Sequence, residues 1–285
     1  MGRQLSDCMH LQIQKIPPVL RLQYRFFFGF YFYHYKRNRY NSEELSHRYK
    51  MLSEQSGGYV KHKFNGYKFK VDENKIDDNT YNIYLNGYNN PELDCVVIEI
   101  ADGEAMIGDI GYFPDCSKPL LPSPSGGNIL MEWTLEYLRM SKDRFHIKRI
   151  LLQDNSKLMS KCKNSIWLAL SSTLTTGHTW YGKYGFLPFD SGSHKPDEEG
   201  LKKYKRNIKI MKVAKLKDVD LTKLLKPVDK ELANEIKNMN TNTLLKEALK
   251  KISHKDPCSL TYIYDYLMER LHLTDFTHKT FYLDL

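Results

Sequence analysis

The 285-residue chain has no C-x-x-C pair among its five cysteines, Cys8, Cys95, Cys116, Cys162 and Cys258. Their number is odd and their spacing wide, so neither a disulfide framework nor a zinc site is expected, and no metal is implied. The Walker phosphate loop, the Gly-x-Ser-x-Gly elbow and His-Glu-x-x-His are all missing. P-loop nucleotide hydrolysis, serine-hydrolase chemistry and zinc proteolysis therefore have no motif to stand on. There is no internal repeat or heptad run. Long apolar runs are lacking too. Val19 to Tyr35 comes nearest, but Arg21, Arg25 and His34 make it too polar and too short to span a bilayer. Met1 to Lys15 lacks the apolar stretch of a secretory signal. These absences predict an intracellular protein in a reducing setting, with no transmembrane segment. The start Met-Gly-Arg-Gln-Leu-Ser fits the loose myristoylation pattern at Gly2, but Asp7 follows and no other lipid signal is present, so chance is the favoured reading of the match.

Hydrophobic residues make up 41% and charged residues 27%, which suits one globular domain with or without an extension. A chain of this size buries a core without needing covalent staples. The net charge of +9 is unevenly placed. Residues 1–50 carry 9 basic and 3 acidic side chains, residues 51–194 carry 15 and 17, residues 195–255 carry 17 and 9, and residues 256–285 carry 2 and 5. Basicity belongs to the flanks, where an acidic partner or nucleic acid would dock.

Residues 1–56 read as an aromatic, basic arm followed by a short polar helix, Ser42 to Gln55. Within the arm, Arg21 to Tyr40 interleaves aromatics with cations. That pattern suits a strand or hairpin packed through its rings, and also a stacking surface for single-stranded nucleic acid or a membrane-interface segment. Alternation predicts a strand pair over Tyr59–Val71 with Asn65-Gly66 as its turn, then strands over Tyr81–Leu85, Asp94–Ile100 and Ala105–Phe113. Asp102-Gly103 supplies one of the connecting turns. A Pro/Ser/Gly-rich loop, Pro114 to Gly127, leads into a helix from Asn128 to about Lys142. A strand over Ile147–Leu152, a helix over Asn164–Thr176, the segment Trp180–Phe189 and a strand over Asn207–Val213 follow. Glu231–Ile252 and Ser259–Leu271 read as two further helices. The expected organisation is an arm at 1–56, an α/β domain at 57–215 and a helical extension at 216–285.

Two places carry a family resemblance. One is the strand Ala105–Phe113, whose following loop ends in Gly126-Gly127 at a helix start; the other is Trp180-Tyr181-Gly182-Lys183-Tyr184-Gly185-Phe186. Over roughly residues 80–213 the chain resembles the GNAT superfamily of acyl-coenzyme A-dependent N-acetyltransferases. The details around Leu152–Ser156 and Gly177–Tyr181 look most like divergent members from large nucleocytoplasmic DNA viruses. The resemblance implies a mixed, mainly antiparallel sheet flanked by helices, with acetyl-CoA as co-substrate and an amine-bearing acceptor. It implies that the cofactor lies between the strand residues Met106, Ile107, Gly108 and Ile110 and the helix start at Ser125, Gly126, Gly127 and Asn128. A helix start preceded by glycines suits a pyrophosphate, with Lys118 as an added cation. The family's Gln/Arg-x-x-Gly-x-Gly/Ala loop reads Pro122-Ser123-Pro124-Ser125-Gly126-Gly127 here, without the leading Gln or Arg.

Tyr181 stands where family members keep a tyrosine that protonates the departing thiolate. It could equally pack beneath the turn, as Phe186 does. Glu99 and Asp109 are the candidate general bases for the attacking amine, and each also reads as an ordinary exposed carboxylate. His178 is a second acid–base candidate or a simple cap, and Cys162 reads as a structural thiol. Two alternatives stand beside the enzyme. One is a degenerate GNAT fold serving as a binding or scaffold protein; the other is a nucleic-acid-associated protein using the basic flanks.

Overall fold

A computed structural model describes residues 59–123, 125–158 and 166–285. The expected arm and its short helix, Gly2 and Cys162 lie outside the described residues. The strands are β1 (Val60–Phe64), β2 (Tyr67–Lys75), β3 (Tyr81–Asn86), β4 (Asp94–Ala101) and β5 (Glu104–Ile110). After these come the helices α1 (Gly126–Met140) and α2 (Lys142–Phe145), strands β6 (Arg149–Gln153), β7 (Lys157–Leu158) and β8 (Ile166–Trp167), and helix α3 (Leu168–Thr176). Next are β9 (Leu187–Asp190), β10 (Lys195–Pro196), and helices α4 (Glu198–Val213), α5 (Leu221–Leu225), α6 (Lys230–Lys237), α7 (Leu245–Lys255) and α8 (Pro257–Arg270). Strand β11 (Thr280–Asp284) closes the chain.

The result is a mixed α+β protein around a nine-stranded, mainly antiparallel sheet in the order β1-β2-β3-β4-β5-β6-β11-β9-β10. The β1 to β5 meander follows from local chemistry. Asn65-Gly66 and Asp102-Gly103 both adopt positive φ, as the tightest hairpin turns require of their two central residues. Strand alternation then buries Phe69, Val71, Ile83, Leu85, Ile98 and Ile107 on one face. Helix α1 lies against that face. Its Trp133 is fully buried, packs on Phe69 at 5.3 Å between ring centroids, and donates from Nε1 to Nδ1 of His62 at 3.0 Å. Tyr137, one turn on, donates to Glu73 Oε1 at 2.6 Å, and Arg144 pairs with the other oxygen of Glu73 at 2.5 Å. A second apolar cluster, built on Leu174, Met211, Leu232 and Leu249, holds the C-terminal helices together.

Several sequence expectations change. The strand expected over Asn207–Val213 is the end of helix α4, because Tyr204, Asn207 and Met211 recur at helical spacing and are all buried. Asp197 caps this helix, its side chain accepting from the Gly200 N–H at 2.8 Å. The helix expected over Glu231–Ile252 is two, α6 and α7, parted by an Asn- and Thr-rich turn. Strand β11 was not expected at all. It enters the sheet between β6 and β9, antiparallel to both.

The expectation of no disulfide is overturned. Cys95 is the second residue of β4 and Cys116 ends the turn after β5, and the β4–β5 hairpin brings them to a Cα separation of 5.8 Å, where they are bridged. Both are fully buried. Cys258 is disulfide-bonded as well. Count and local spacing could not show this pairing, since the hairpin creates it. Among the described residues, no helix is long and apolar enough to cross a membrane.

Candidate active site

Among the described residues, the one parallel pair in the large sheet marks the site. Strands β5 and β6 pair from Glu104–Arg149 to Ile107–Leu152, and there their ladder ends. Each strand continues beside its outer neighbour: Asp109 opposite Val97 of β4, and Gln153 opposite Thr280 of β11. A register shift contributes on the β5 side. Ile98 faces Ile107 and Val97 faces Asp109, so Gly108 is the extra residue of a bulge. Bulges re-aim the strand beyond them, and here that strand end carries Asp109.

At the end of β6 stands Asp154. Its backbone is tied to β11's approach, the N–H donating to Lys279 O at 2.9 Å and the carbonyl accepting from His278 N at 3.0 Å. The carboxylate is wholly shielded from solvent. Oδ1 accepts from the Ser156 hydroxyl at 2.6 Å, while Oδ2 is buried with no partner among the described residues. Burial pushes the acid up to about 6; the Ser156 hydrogen bonds counteract this in part, and the charge of Asp275 adds to it.

Tyr181 is delivered by a glycine-punctuated turn. Gly177 ends α3 at φ 83°, a short 3-10 turn covers Tyr181–Tyr184, and Gly185 closes it at φ 92°. The Tyr181 ring is 8% exposed and stands edge-on to Trp180 and Phe186. Its phenol is held above the ordinary tyrosine range, by burial first, then by the negative charge of Asp154, with Asp109 and Tyr184 adding and the Ser156 hydroxyl opposing. The turn thus brings Tyr181 within the electrostatic reach of the ends of both β5 and β6.

The same turn reaches the start of α1. Lys183 Nζ donates to Asn128 Oδ1 at 2.6 Å, and the Tyr184 hydroxyl bonds the same oxygen at 3.3 Å. Most amides there are already bonded. The Gly126 N–H donates to Pro122 O at 2.7 Å, and those of Asn128 and Ile129 both donate to Ser125 O. The Ser125 side chain makes no cap hydrogen bond, and the Tyr112 ring lies where a side chain on Gly126 would be.

The sequence candidates therefore separate. Asp109 lies within electrostatic reach of Tyr181. Glu99 is exposed, opposite Asn82 and Met106, on the face turned away from Ile98 and Ile100. Met106 is 38% exposed, Ile107 is in the core and Ile110 is half-buried. Lys118 is bonded through its backbone to Lys68 of β2. His178 packs edge-on to Tyr204 with Nδ1 buried and unpartnered. Asp154, Ser156 and Lys183 were passed over as site residues. Their signal was available: Asp154 and Ser156 directly follow the most continuously apolar strand, and Lys183 lies inside the Tyr181 motif. Among the described residues, no group of three or more His, Cys, Asp or Glu could hold a metal ion.

No protein-family model, curated protein or solved structure matches this chain.

Proposed function

We propose that the chain transfers an acyl group from acetyl-CoA to an amine by direct attack. The observation that carries this reading is Tyr181 within the electrostatic influence of Asp154 and Asp109, where the parallel pair β5–β6 comes apart. The GNAT resemblance and the sheet order agree with it. Acetyl-CoA supplies the activated thioester. The amine nitrogen bonds to its carbonyl carbon and the C–S bond breaks. Asp154, poised near neutrality and with one unpartnered oxygen, takes the proton the amine loses. Tyr181, kept protonated by its surroundings, gives a proton to the sulfur that leaves. Asp154 replaces Glu99 as the base in this scheme, since Glu99 is exposed on the other face. For the donor's phosphates, the Gly127 amide and the Lys183 ammonium are the fitting groups, in place of Lys118.

A second reading has its own observation. The α1 start bonds its Gly126, Asn128 and Ile129 amides internally, which favours a binding protein that retains the fold without the donor. Calorimetry with acetyl-CoA on the folded protein separates the two. Saturable heat, reduced in Lys183→Ala, supports the transferase. No heat at millimolar donor leaves the binding protein.

A further inference from the structure

Helix α4 carries six basic residues after its acidic first turn: Lys202, Lys203, Lys205, Arg206, Lys209 and Lys212. At roughly 100° per residue, five of them fall within a sector of about 120°, namely Lys202, Lys205, Arg206, Lys209 and Lys212. All five are exposed, and the opposite face buries Tyr204, Asn207 and Met211. At 1.5 Å per residue the row is about 15 Å long. None of the five takes part in an ion pair among the described residues. This differs from the neighbouring helices. On α6 and α7, Lys251 and Lys255 are matched by Glu231 and Glu235, and on α4 itself Glu199 is matched by Lys203, off the row.

From this row we infer a docking surface for the phosphodiester backbone of a nucleic-acid duplex. The α4 row fits closely spaced phosphates and little else. Its apolar side faces the protein interior, and Val213 at its end is the one large hydrophobic residue it exposes, too little to hold an amphipathic helix in a lipid bilayer. It has no aromatic anchor within it, as the centre of a protein–protein interface or a single-strand stacking platform requires. Lysines at helical spacing read charge and not base edges, so the binding is independent of sequence and sensitive to salt. The surface is separate from the Tyr181 site and does not depend on acyl transfer.

The experiment is fluorescence anisotropy of the full chain with a labelled 20-base-pair DNA duplex across 50 to 200 mM salt. Wild type is compared with two variants. One changes Lys202, Lys205, Arg206, Lys209 and Lys212 to Gln; the other changes the exposed Lys217, Lys223, Lys226, Lys230 and Lys237 to Gln, so that net charge falls equally. Circular dichroism shows that both fold, and a Lys205→Gln/Lys209→Gln pair serves if the fivefold variant does not. The expected result is a loss of at least ~10-fold in affinity for the row variant alone. Its log–log salt slope should fall by about 4.5, at ~0.9 for each of the five phosphate contacts. Equal losses in both variants, no binding of the duplex at 50 mM salt, or tighter binding to anionic phosphatidylserine vesicles than to the duplex would each overturn it.

Discussion

The Ser156 hydroxyl donates to Oδ1 of Asp154 at 2.6 Å, while the other oxygen of that carboxylate has no partner among the described residues. The hydrogen bonds from Ser156 do not replace the hydration lost on burial, so the acid rises to about 6. The folded-state value lies above that of an unfolded aspartate near 3.8, so the native chain holds this proton more tightly. Stability from this group is complete below about pH 4 and is lost as pH rises through about 6. Across two units the effect is on the order of 3 kcal/mol. Asp154→Asn should therefore unfold at higher urea than wild type at pH 7 and at the same urea at pH 4. A variant less stable than wild type at pH 7 would show that the carboxylate is satisfied in solution. The same variant should lose acyl transfer at pH 7, separating its role in chemistry from its cost to the fold.

Tyr181→Phe tests the acid without disturbing the packing. The ring's contacts with Trp180 and Phe186 stay, and only the hydroxyl goes. Thermal stability should change by less than about 1 kcal/mol, while kcat falls by about 10²–10⁴-fold with little change in KM. A fall in KM-weighted efficiency through KM alone would assign the hydroxyl to binding instead.

Much of the sheet was legible because its turns are local. Asn65-Gly66 and Asp102-Gly103 announce hairpins, and the alternation around them assigns the buried face. Helix α4 was misread because Ile208 and Ile210 alternate over a short window, while its helical face shows only across all sixteen residues. Strand β11 is five residues long and becomes a strand through β6 and β9, more than 90 residues away in the chain, so no local pattern reveals it. The candidate site divides the same way. Tyr181 was found through its motif, whereas what distinguishes Asp154 is burial beneath segments around Lys279 and His278.

The bridge between Cys95 and Cys116 closes a 21-residue separation spanning all of β5. A loop of that size corresponds to about 3 kcal/mol in the chain-entropy account. The Cys95→Ser/Cys116→Ser protein should unfold at correspondingly lower urea than the oxidised wild type. Wild type unfolded without reductant should yield two fewer maleimide adducts than the same protein with only this bridge reduced. Full labelling of both cysteines without reductant would remove the bridge from the account.

Gly177 is the hinge on which the Tyr181 turn depends. Its φ of 83° is strained for any side chain, and a Cβ there would stand 2.8 Å from the Ile208 Cα of helix α4. That neighbour is backbone inside a buried helix contact, so it cannot swing aside as a side chain end could. Gly177→Ala should cost about 2–4 kcal/mol, combining the left-handed penalty with overpacking. Because α3 and α4 meet at this point, relief requires their separation to grow, and the Tyr181 turn that follows would move with it. The variant should therefore lose acyl transfer beyond what its lowered stability explains, measured well below its melting temperature. If activity there stayed equal to wild type, the position of Tyr181 would be independent of the α3–α4 contact.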